Sequence, residues 1–144
     1  MIAVDTNVLV YAHRADSPFH LEARAAVEQL TSAGRTWGIP WPCVHEFLAV
    51  VSHPRIYVPP TQPDVAVRTI GDLSQLQGVM MLGETADHWR TLRLLLGRRG
   101  VVGPKIHDAR VAAICLSHGV EELWTADRDF TWFPELRTRN PLVA

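Results

Sequence analysis

The chain has 144 residues, of which 47% are hydrophobic and 20% are charged, and its formal net charge at pH 7 is −1. A chain of this length can bury one sizeable core, so we expect a single domain over residues 1–144. The apolar runs are too short for a membrane span of ~20 residues, and Asp5 interrupts the first run, which excludes a signal peptide.

The cysteines and the basic residues add two compositional clues. Cys43 and Cys115 lie far apart in apolar surroundings without a C-x-x-C spacing, which predicts buried free thiols in a reducing compartment, here the cytoplasm. Of the 14 basic residues, Lys105 is the only lysine and the others are arginines. Arginine suits bidentate contact with phosphate, but a solvated helix face explains this composition equally well.

The first part of the sequence predicts strands that are each followed by a helix. Serine caps helices, proline is favoured at the first helical position, and a residue before proline disfavours helix. In chain order, the predicted elements are a strand at 2–5, helical turns from Asn7 to His13, a helix from the Ser17-Pro18 cap to Gly34, a strand from Thr36 to Ile39, and a helix from Pro42 to His53-Pro54.

The rest of the sequence continues this alternation, and no linker divides it. The next predicted elements are a helix capped by Thr61 with apolar Val65, Ile70, Leu73 and Leu76, a strand from Val79 to Leu82, a helix from Glu84 to Leu96, a helix from Pro104 to Gly119, a strand from Glu122 to Thr125, the loop ADRDF, and a last turn with an edge strand. Strands that alternate with helices predict an α/β fold with a central, mostly parallel sheet.

Acidic residues occupy two kinds of unusual position. Asp5 ends the first predicted strand, and Asp127 and Asp129 follow the strand that contains LWT. Ligands of such sheets bind outside the carboxyl ends of the strands. Glu46 interrupts an otherwise apolar helix, and Asp108 lies on the side of its helix that the spacing of apolar residues directs to the core. These positions predict a shared site.

Each acid also has an ordinary structural explanation. Asp5 could cap the following helix, Asp108 could favour the helix dipole, Glu46 could reach the surface, and Asp127 could be a turn residue. These explanations do not account for all four acids together. Carboxylates in one buried site must be neutralised by protons, bases or a metal ion, and an all-oxygen site suits Mg²⁺ or Mn²⁺.

Several other chemistries fit the sequence less well. The H-E-x-x-H zinc-protease motif starts at His45 but fails at Ala49, and neither a phosphate-binding P-loop nor a G-x-S-x-G elbow is present. The opening Asp5-Thr6-Asn7 is similar to the D-x-D of haloacid-dehalogenase-like phosphatases. Asn7 stands where that chemistry needs a second carboxylate, which disfavours this assignment.

Five segments, in order along nearly the whole chain, resemble the PIN-domain ribonucleases, and among them the VapC-type toxins of bacterial toxin–antitoxin pairs. The segments are DTNVLVYAH, PWPCVHEFLAVVSHPR, GPKIHDARVAA, LWTADRDF and RNPL. The resemblance implies a PIN-like α/β/α sandwich. It also implies an acidic site that falls, position by position, on Asp5, Glu46, Asp108 and Asp127, with Asn7 and Thr125 as accompanying polar groups and Asp129 as a frequent further member.

The resemblance further implies metal-dependent hydrolysis of RNA phosphodiester bonds. Our hypothesis is that Asp5 and Asp108 are the principal ligands of a first Mg²⁺, with Mn²⁺ as the alternative and a second ion as an option. Glu46 and Asp127 would complete the site directly or through water. Hydrogen bonds from other side chains would hold the ligands; we assign this role to Asn7, Thr125 and Asp129.

The same resemblance implies the partners. These are an RNA with unstacked bases, a cognate VapB-type antitoxin that blocks the site, and a second copy of the chain in a homodimer. We expect phosphate contacts near the cleft from Arg93, Arg98 and Arg99. The five tryptophans could mark an interface, although core packing is the more common use of this residue.

Two non-catalytic alternatives remain open at this stage. One is a PIN-like module that binds metal and RNA without cutting, and the other is a signalling receiver with a phosphorylated aspartate. A receiver needs a lysine opposite that aspartate, and Lys105 precedes a helix instead of ending a strand, which counts against it.

Overall fold

The centre of the fold is a five-stranded sheet, in a computed structural model that describes residues 1–143. The strands are β1 (Ile2–Val4), β2 (Trp37–Pro40), β3 (Val79–Leu82), β4 (Glu122–Trp124) and β5 (Arg137–Arg139). They lie in the order β3-β2-β1-β4-β5, and every pairing is parallel, including that of the edge strand β5. The predicted α/β fold with a central parallel sheet is confirmed.

Helices connect these strands and cover the sheet. They are α1 (Thr6–His13), α2 (His20–Ser32), α3 (Trp41–Val51), α4 (Pro63–Gln75), α5 (His88–Leu96) and α6 (Pro104–Ser117), followed by a 3-10 helix (Arg128–Trp132). Proline stands in the first turn of α3, α4 and α6, where its missing N–H costs no helical hydrogen bond. Helix α1 packs on α2 and α3, helix α3 packs on α4, and helix α5 packs on α6.

The core lies between the strands and the helices that follow them. Val4, Ile39 and Leu123, one from each of the three central strands, are completely buried. The second half of helix α6 is apolar, and residues 111–115 of it are all buried. Because both faces of the central strands are covered, most residues of these short strands are apolar, as is typical of parallel sheets.

Two helix starts differ from the sequence-based prediction. Helix α2 begins at His20 instead of Ser17, because Phe19 takes a left-handed backbone conformation with φ 59° that ends the turn before it. The Ser17 hydroxyl does not cap α2 and instead lies 2.8 Å from the Tyr57 hydroxyl. Helix α5 begins at His88 instead of Glu84, whose carboxylate accepts a hydrogen bond from Arg110 Nε at 2.7 Å.

A third prediction, that Thr61 caps α4, is also wrong. The residue before the first turn of α4 is Gln62, and its side chain makes no capping hydrogen bond. The Thr61 hydroxyl instead accepts a hydrogen bond from Arg14 Nη1 at 3.2 Å and lies 3.0 Å from His13 Nε2. Thr61 therefore joins the end of α1 to the loop before α4.

The cysteines and tryptophans occupy different environments. Cys43 and Cys115 are buried free thiols, as predicted. Trp37 and Trp124 are core residues, whereas the other three tryptophans, which are Trp41, Trp89 and Trp132, are exposed. Over residues 1–143, no helix has the length and apolar character needed to cross a membrane.

Candidate active site

A cleft of about 260 Å³ opens at the carboxyl ends of the central strands. Strands β1 and β4 are neighbours, with Val4 opposite Trp124, so the residues that follow them lie on the same edge of the sheet. All four acids predicted from the sequence, Asp5, Glu46, Asp108 and Asp127, line this cleft. Its position is the one at which parallel sheets bind ligands.

Asp5 is the deepest of these acids, with only 6% of its surface exposed. It caps α1 and accepts hydrogen bonds from Thr6 N at 2.8 Å and Thr125 Oγ1 at 2.7 Å. Weaker contacts at 3.4 Å come from Cys43 Sγ and Asn7 Nδ2. Burial raises the pKa of Asp5, and the hydrogen bonds from Thr125 and Thr6 oppose that rise. Asp5 therefore caps α1 and also lines the cleft.

Asn7 and Thr125 join Asp5 to the segment that carries Asp127. The Thr125 hydroxyl donates to Asp5 and accepts from Asp127 N at 2.9 Å and from Asn7 Nδ2 at 3.3 Å. The Asn7 amide oxygen accepts from Ala126 N at 3.0 Å. These bonds fix the end of β4 against the start of α1, so they set the position of Asp127 relative to Asp5.

Glu46 interrupts the apolar helix α3, but its side chain does not face the core. Helix α3 turns Val44 and Phe47 inward, and the Glu46 side chain, 47% exposed, lies at the rim of the cleft. There, Thr6 Oγ1 donates to its carboxylate at 3.1 Å, and His107 Nε2 lies 3.4 Å from the same oxygen. Neither neighbour is predicted from the sequence, because a threonine beside an aspartate and a lone histidine have no recognisable spacing.

Asp108, Asp127 and Asp129 form the tightest acidic group, which we call the carboxylate trio. One oxygen from each residue can be chosen so that all three lie within 4.8 Å of one another. Asp127 caps the 3-10 helix by accepting from Asp129 N at 2.8 Å, which draws those two acids together. Asp5 and Glu46 line the same cleft outside the trio. From the sequence, Asp129 is predicted only as a residue that holds the metal ligands by hydrogen bonds.

The donor set of the cleft fits a hard divalent cation. Three carboxylates at this separation repel one another unless a positive charge lies between them. Oxygen ligands with room for water in the remaining positions are what Mg²⁺ and Mn²⁺ prefer. Among residues 1–143, the trio is the only group of three or more acidic, histidine or cysteine side chains close enough to hold a metal ion.

The pKa of Asp108 reflects this crowding. Burial and the neighbouring charges of Asp127 and Asp129 raise it to about 6, and His107 partly opposes the rise. In the metal-free protein, the ionised form of Asp108 is therefore less favourable in the folded state than in the unfolded chain. The resulting cost to stability grows as the pH rises from about 4, near the ordinary pKa, through 6.

Substituting Asp108 by asparagine should remove this cost. We expect Asp108→Asn to be more stable than wild type by about 1 kcal/mol at neutral pH without metal, a value reduced from the full pKa shift because the group is partly exposed. This corresponds to a rise in Tm of roughly 3 °C. The gain should vanish below pH 4, where folded and unfolded wild-type chains are both protonated at Asp108. Thermal melts in EDTA across this pH range measure it, and an equal gain at every pH would contradict the assignment.

The three arginines predicted to contact phosphate do not line the cleft. Arg98 donates to the Trp132 carbonyl oxygen at 3.0 Å and pairs with Glu135, so its guanidinium is engaged in holding two loops together. Arg93 and Arg99 are exposed, on α5 and on the loop after it. The turn after α5 separates Arg93 from the other two arginines along the chain.

The remaining lining of the cleft is apolar and aromatic. It comes from α1, α3, α6, the loop after α3 and the 3-10 helix, and consists of Val10, Tyr11, Val50, Ile56, Tyr57, Val111 and Phe130, beside the polar Thr6, Asn7 and His107. Apolar walls lower the local dielectric constant and strengthen electrostatic interactions at the acidic centre.

Comparison with known proteins agrees with this architecture. The family model described as PIN domain matches residues 2–136. Ribonuclease VapC43 of Mycobacterium tuberculosis is 37% identical over 142 residues, which are 99% of this chain and 96% of the relative. Ribonuclease VapC48 of the same organism is 33% identical over 137 residues, with 95% and 94% of the two chains covered.

A solved structure, a toxin–antitoxin complex from Klebsiella pneumoniae, shares the fold with a TM-score of 0.62 and 20% sequence identity, covering 98% of each chain. The resemblance inferred from the five sequence segments is thereby confirmed. The family model spans both the first strand and the segment that carries Asp127, and two relatives match nearly end to end above 30% identity. On these grounds, the chain belongs to the PIN-domain family.

Proposed function

We propose that this protein is a metal-dependent endoribonuclease that hydrolyses RNA phosphodiester bonds. The observation that carries the proposal is the carboxylate trio, two members of which, Asp108 and Asp127, line the cleft together with Asp5 and Glu46. The names of the relatives VapC43 and VapC48, both called ribonucleases, support RNA as the substrate. Residues 1–144 would act as one domain.

The carboxylates of the cleft would hold the cation. Asp108, Asp127 and Asp129 offer oxygens at mutual distances that one ion can span, and Asp5 and Glu46 would complete the set directly or through water. A bound Mg²⁺ or Mn²⁺ would lower the pKa of a water molecule and offset the negative charge that develops on the phosphate during hydrolysis. If a second ion binds, Glu46 would be the most exposed carboxylate of the cleft outside the trio to receive it.

Three polar residues at the rim would orient the attacking water and the substrate. Thr6 holds the Glu46 carboxylate through its hydroxyl, and His107 lies on the other side of that carboxylate. Glu46 is the most accessible acid lining the cleft, so it can accept a hydrogen bond from water beside the phosphate. His107 can donate to a phosphate oxygen once substrate enters.

The aromatic and apolar walls favour unpaired RNA. Tyr11 and Tyr57 line the cleft with partly exposed side chains, and unpaired bases can stack on such rings, whereas paired bases are held within the duplex. A single strand or a loop would therefore enter the cleft more readily than a duplex.

The biological role that we propose is that of a toxin. The VapC names of the relatives and the toxin–antitoxin complex with the same fold support a cognate VapB-type antitoxin as partner, which would block the cleft until it is removed. Exposed apolar residues such as Trp89 and Leu94 on α5 are consistent with a homodimer.

The direct test is cleavage of a mixed RNA pool by the purified protein. We expect discrete fragments in Mg²⁺ or Mn²⁺ and intact RNA in EDTA, because the trio cannot neutralise phosphate charge without the cation. Mapping the fragment ends would then identify the preferred site.

Two other outcomes would overturn parts of the proposal. RNA that is bound but left intact in the presence of metal would favour the non-catalytic alternative. Cleavage that persists in EDTA would exclude the metal dependence, since the acidic centre would then contribute nothing that the cation supplies.

A further inference from the structure

A cation and an aromatic ring meet beside the carboxylate trio. The ammonium group of Lys105 lies 3.5 Å from the centre of the Trp132 ring. Lys105 is in the first turn of α6, one turn before Asp108, and Trp132 ends the 3-10 helix that Asp127 caps and that contains Asp129. The pair therefore joins the two elements that carry the trio.

Trp132 is held firmly but remains accessible. Its carbonyl oxygen accepts a hydrogen bond from Arg98 at 3.0 Å, and its ring packs so closely on Gly100 that an added Cβ there would lie 3.0 Å from the ring. Gly100 has φ +89°, a conformation that favours glycine. Even so, 40% of the Trp132 surface is exposed. A fixed, exposed ring has already lost the freedom that binding would otherwise cost.

Lys105 forms no ion pair with the acidic residues that the structure describes. Within residues 1–143, no carboxylate lies within ion-pair distance of its ammonium group, although many of the basic side chains around the fold are so paired. A cation on an exposed aromatic face is held only weakly and can move to a phosphate. Its place on the same side of α6 as Asp108 puts that movement next to the cleft.

We propose that Lys105 and Trp132 form a contact for single-stranded RNA beside the cleavage site, with Lys105 binding a phosphate and Trp132 stacking on the adjacent base. This inference rests on the proposed ribonuclease function. Proteins that bind single strands without sequence preference combine an aromatic ring, on which a base stacks, with a cation that binds the phosphate backbone. The contact supplies positive charge on a rim whose predicted arginines lie outside the cleft.

The test is RNA binding by the full-length protein in the Asp108→Asn background, which prevents cleavage. The probe is a short fluorescent single-stranded RNA of mixed sequence, and anisotropy gives Kd at several salt concentrations. We expect Lys105→Met to weaken binding severalfold and to reduce the slope of log Kd against log salt by about 0.7, the value for one phosphate contact on a single strand. Lys105→Arg should restore both quantities.

Trp132→Leu tests the stacking contact separately. We expect Kd to rise roughly tenfold while the salt slope stays near that of the parent protein, because stacking involves no counterion release. Arg68→Met is the matched control: Arg68 is an exposed cation on α4, away from the cleft, and its loss should change neither quantity.

The outcomes separate this inference from the proposed function. If Lys105→Met and Trp132→Leu leave Kd and the salt slope unchanged, or if the parent protein does not bind RNA, the contact is disproved. If binding changes as expected but wild type does not cleave, the contact stands and the ribonuclease proposal fails. In cleaving protein, Lys105→Met should raise KM severalfold with kcat nearly unchanged, and an unchanged KM would also contradict the contact.

Discussion

Replacing Asp108 with asparagine is expected to reduce RNA cleavage roughly a thousandfold while leaving a folded protein. Asp108 contributes one of the three oxygens of the trio, and an amide group offers a cation neither the charge nor both oxygens. The loss corresponds to about 4 kcal/mol of transition-state stabilisation. The rate of fragment formation at saturating Mg²⁺, measured beside a thermal melt, gives both quantities.

The opposite signs of the two effects make this experiment decisive. A variant that merely unfolds loses activity and stability together, whereas Asp108→Asn should lose activity and gain stability in metal-free buffer. Asp72→Asn is the matched control, because Asp72 is an exposed acid on α4 and its substitution should change neither quantity. Wild-type cleavage by Asp108→Asn would exclude Asp108 from the site.

Asp5 would be a less clear test of the same idea. Its two oxygens accept hydrogen bonds from Thr6 N and Thr125 Oγ1. In asparagine, one of these oxygens is replaced by an NH₂ group, which cannot accept either bond. Asp5→Asn should therefore cost both activity and stability, because a buried group is left without a partner. The burial of Asp5, which sequence alone does not specify, makes the two substitutions differ.

The strands and most helix boundaries could be predicted because local chemistry determines them. Pro42 and Pro104 lie in the first turns of α3 and α6, where the chain cannot continue a strand, and the apolar runs around Asp5 mark the first strand and α1. The start of α2 could not be predicted in this way. It depends on the left-handed backbone of Phe19, whose ring lies near that of Tyr11 on the preceding helix α1.

The candidate site shows the same division. The acids could be identified because burying a carboxylate at a strand end or in an apolar helix lowers stability unless the charge is paired or binds a ligand. Their arrangement could not be predicted from the sequence, because the orientation of α3 puts Glu46 at the rim and the capping of the 3-10 helix brings Asp129 to Asp127. Likewise, Arg98 is engaged by Glu135, a residue 37 positions further along the chain. The sequence pattern identifies candidate site residues, but tertiary packing determines which of these side chains contact each other.

Removing the hydroxyl of Thr125 is expected to reduce the rate of cleavage by about 10- to 100-fold, although this hydroxyl contacts neither substrate nor metal directly. Thr125 is almost completely buried, and its single proton goes to Asp5 at 2.7 Å while its oxygen accepts from Asp127 N at 2.9 Å. Thr125→Val has nearly the same shape but satisfies neither group. It should also lower the free energy of unfolding by about 1–3 kcal/mol.

A positioning role predicts a shift in the pH profile that a purely structural role does not. Burial already raises the pKa of Asp5, and the hydrogen bond from Thr125 is the strongest influence that opposes this rise. Without it the pKa rises further, so Asp5 stays protonated to higher pH. Since protons and metal ions compete for a carboxylate, the acidic limb of the rate profile should move to higher pH, and more Mg²⁺ should be needed at a given pH.

Two further variants decide whether the hydroxyl itself is responsible. Thr125→Ser keeps the oxygen and should restore both the rate and the position of the acidic limb, losing only the packing of a methyl group. Thr138→Val makes the same change at an exposed position on β5 and should leave the profile unchanged. If Thr125→Val lowers the rate equally at all pH values, the hydroxyl acts on packing alone. A shift of the limb that serine reverses would instead show that a single buried proton donor sets the pH range in which Asp5 is ionised.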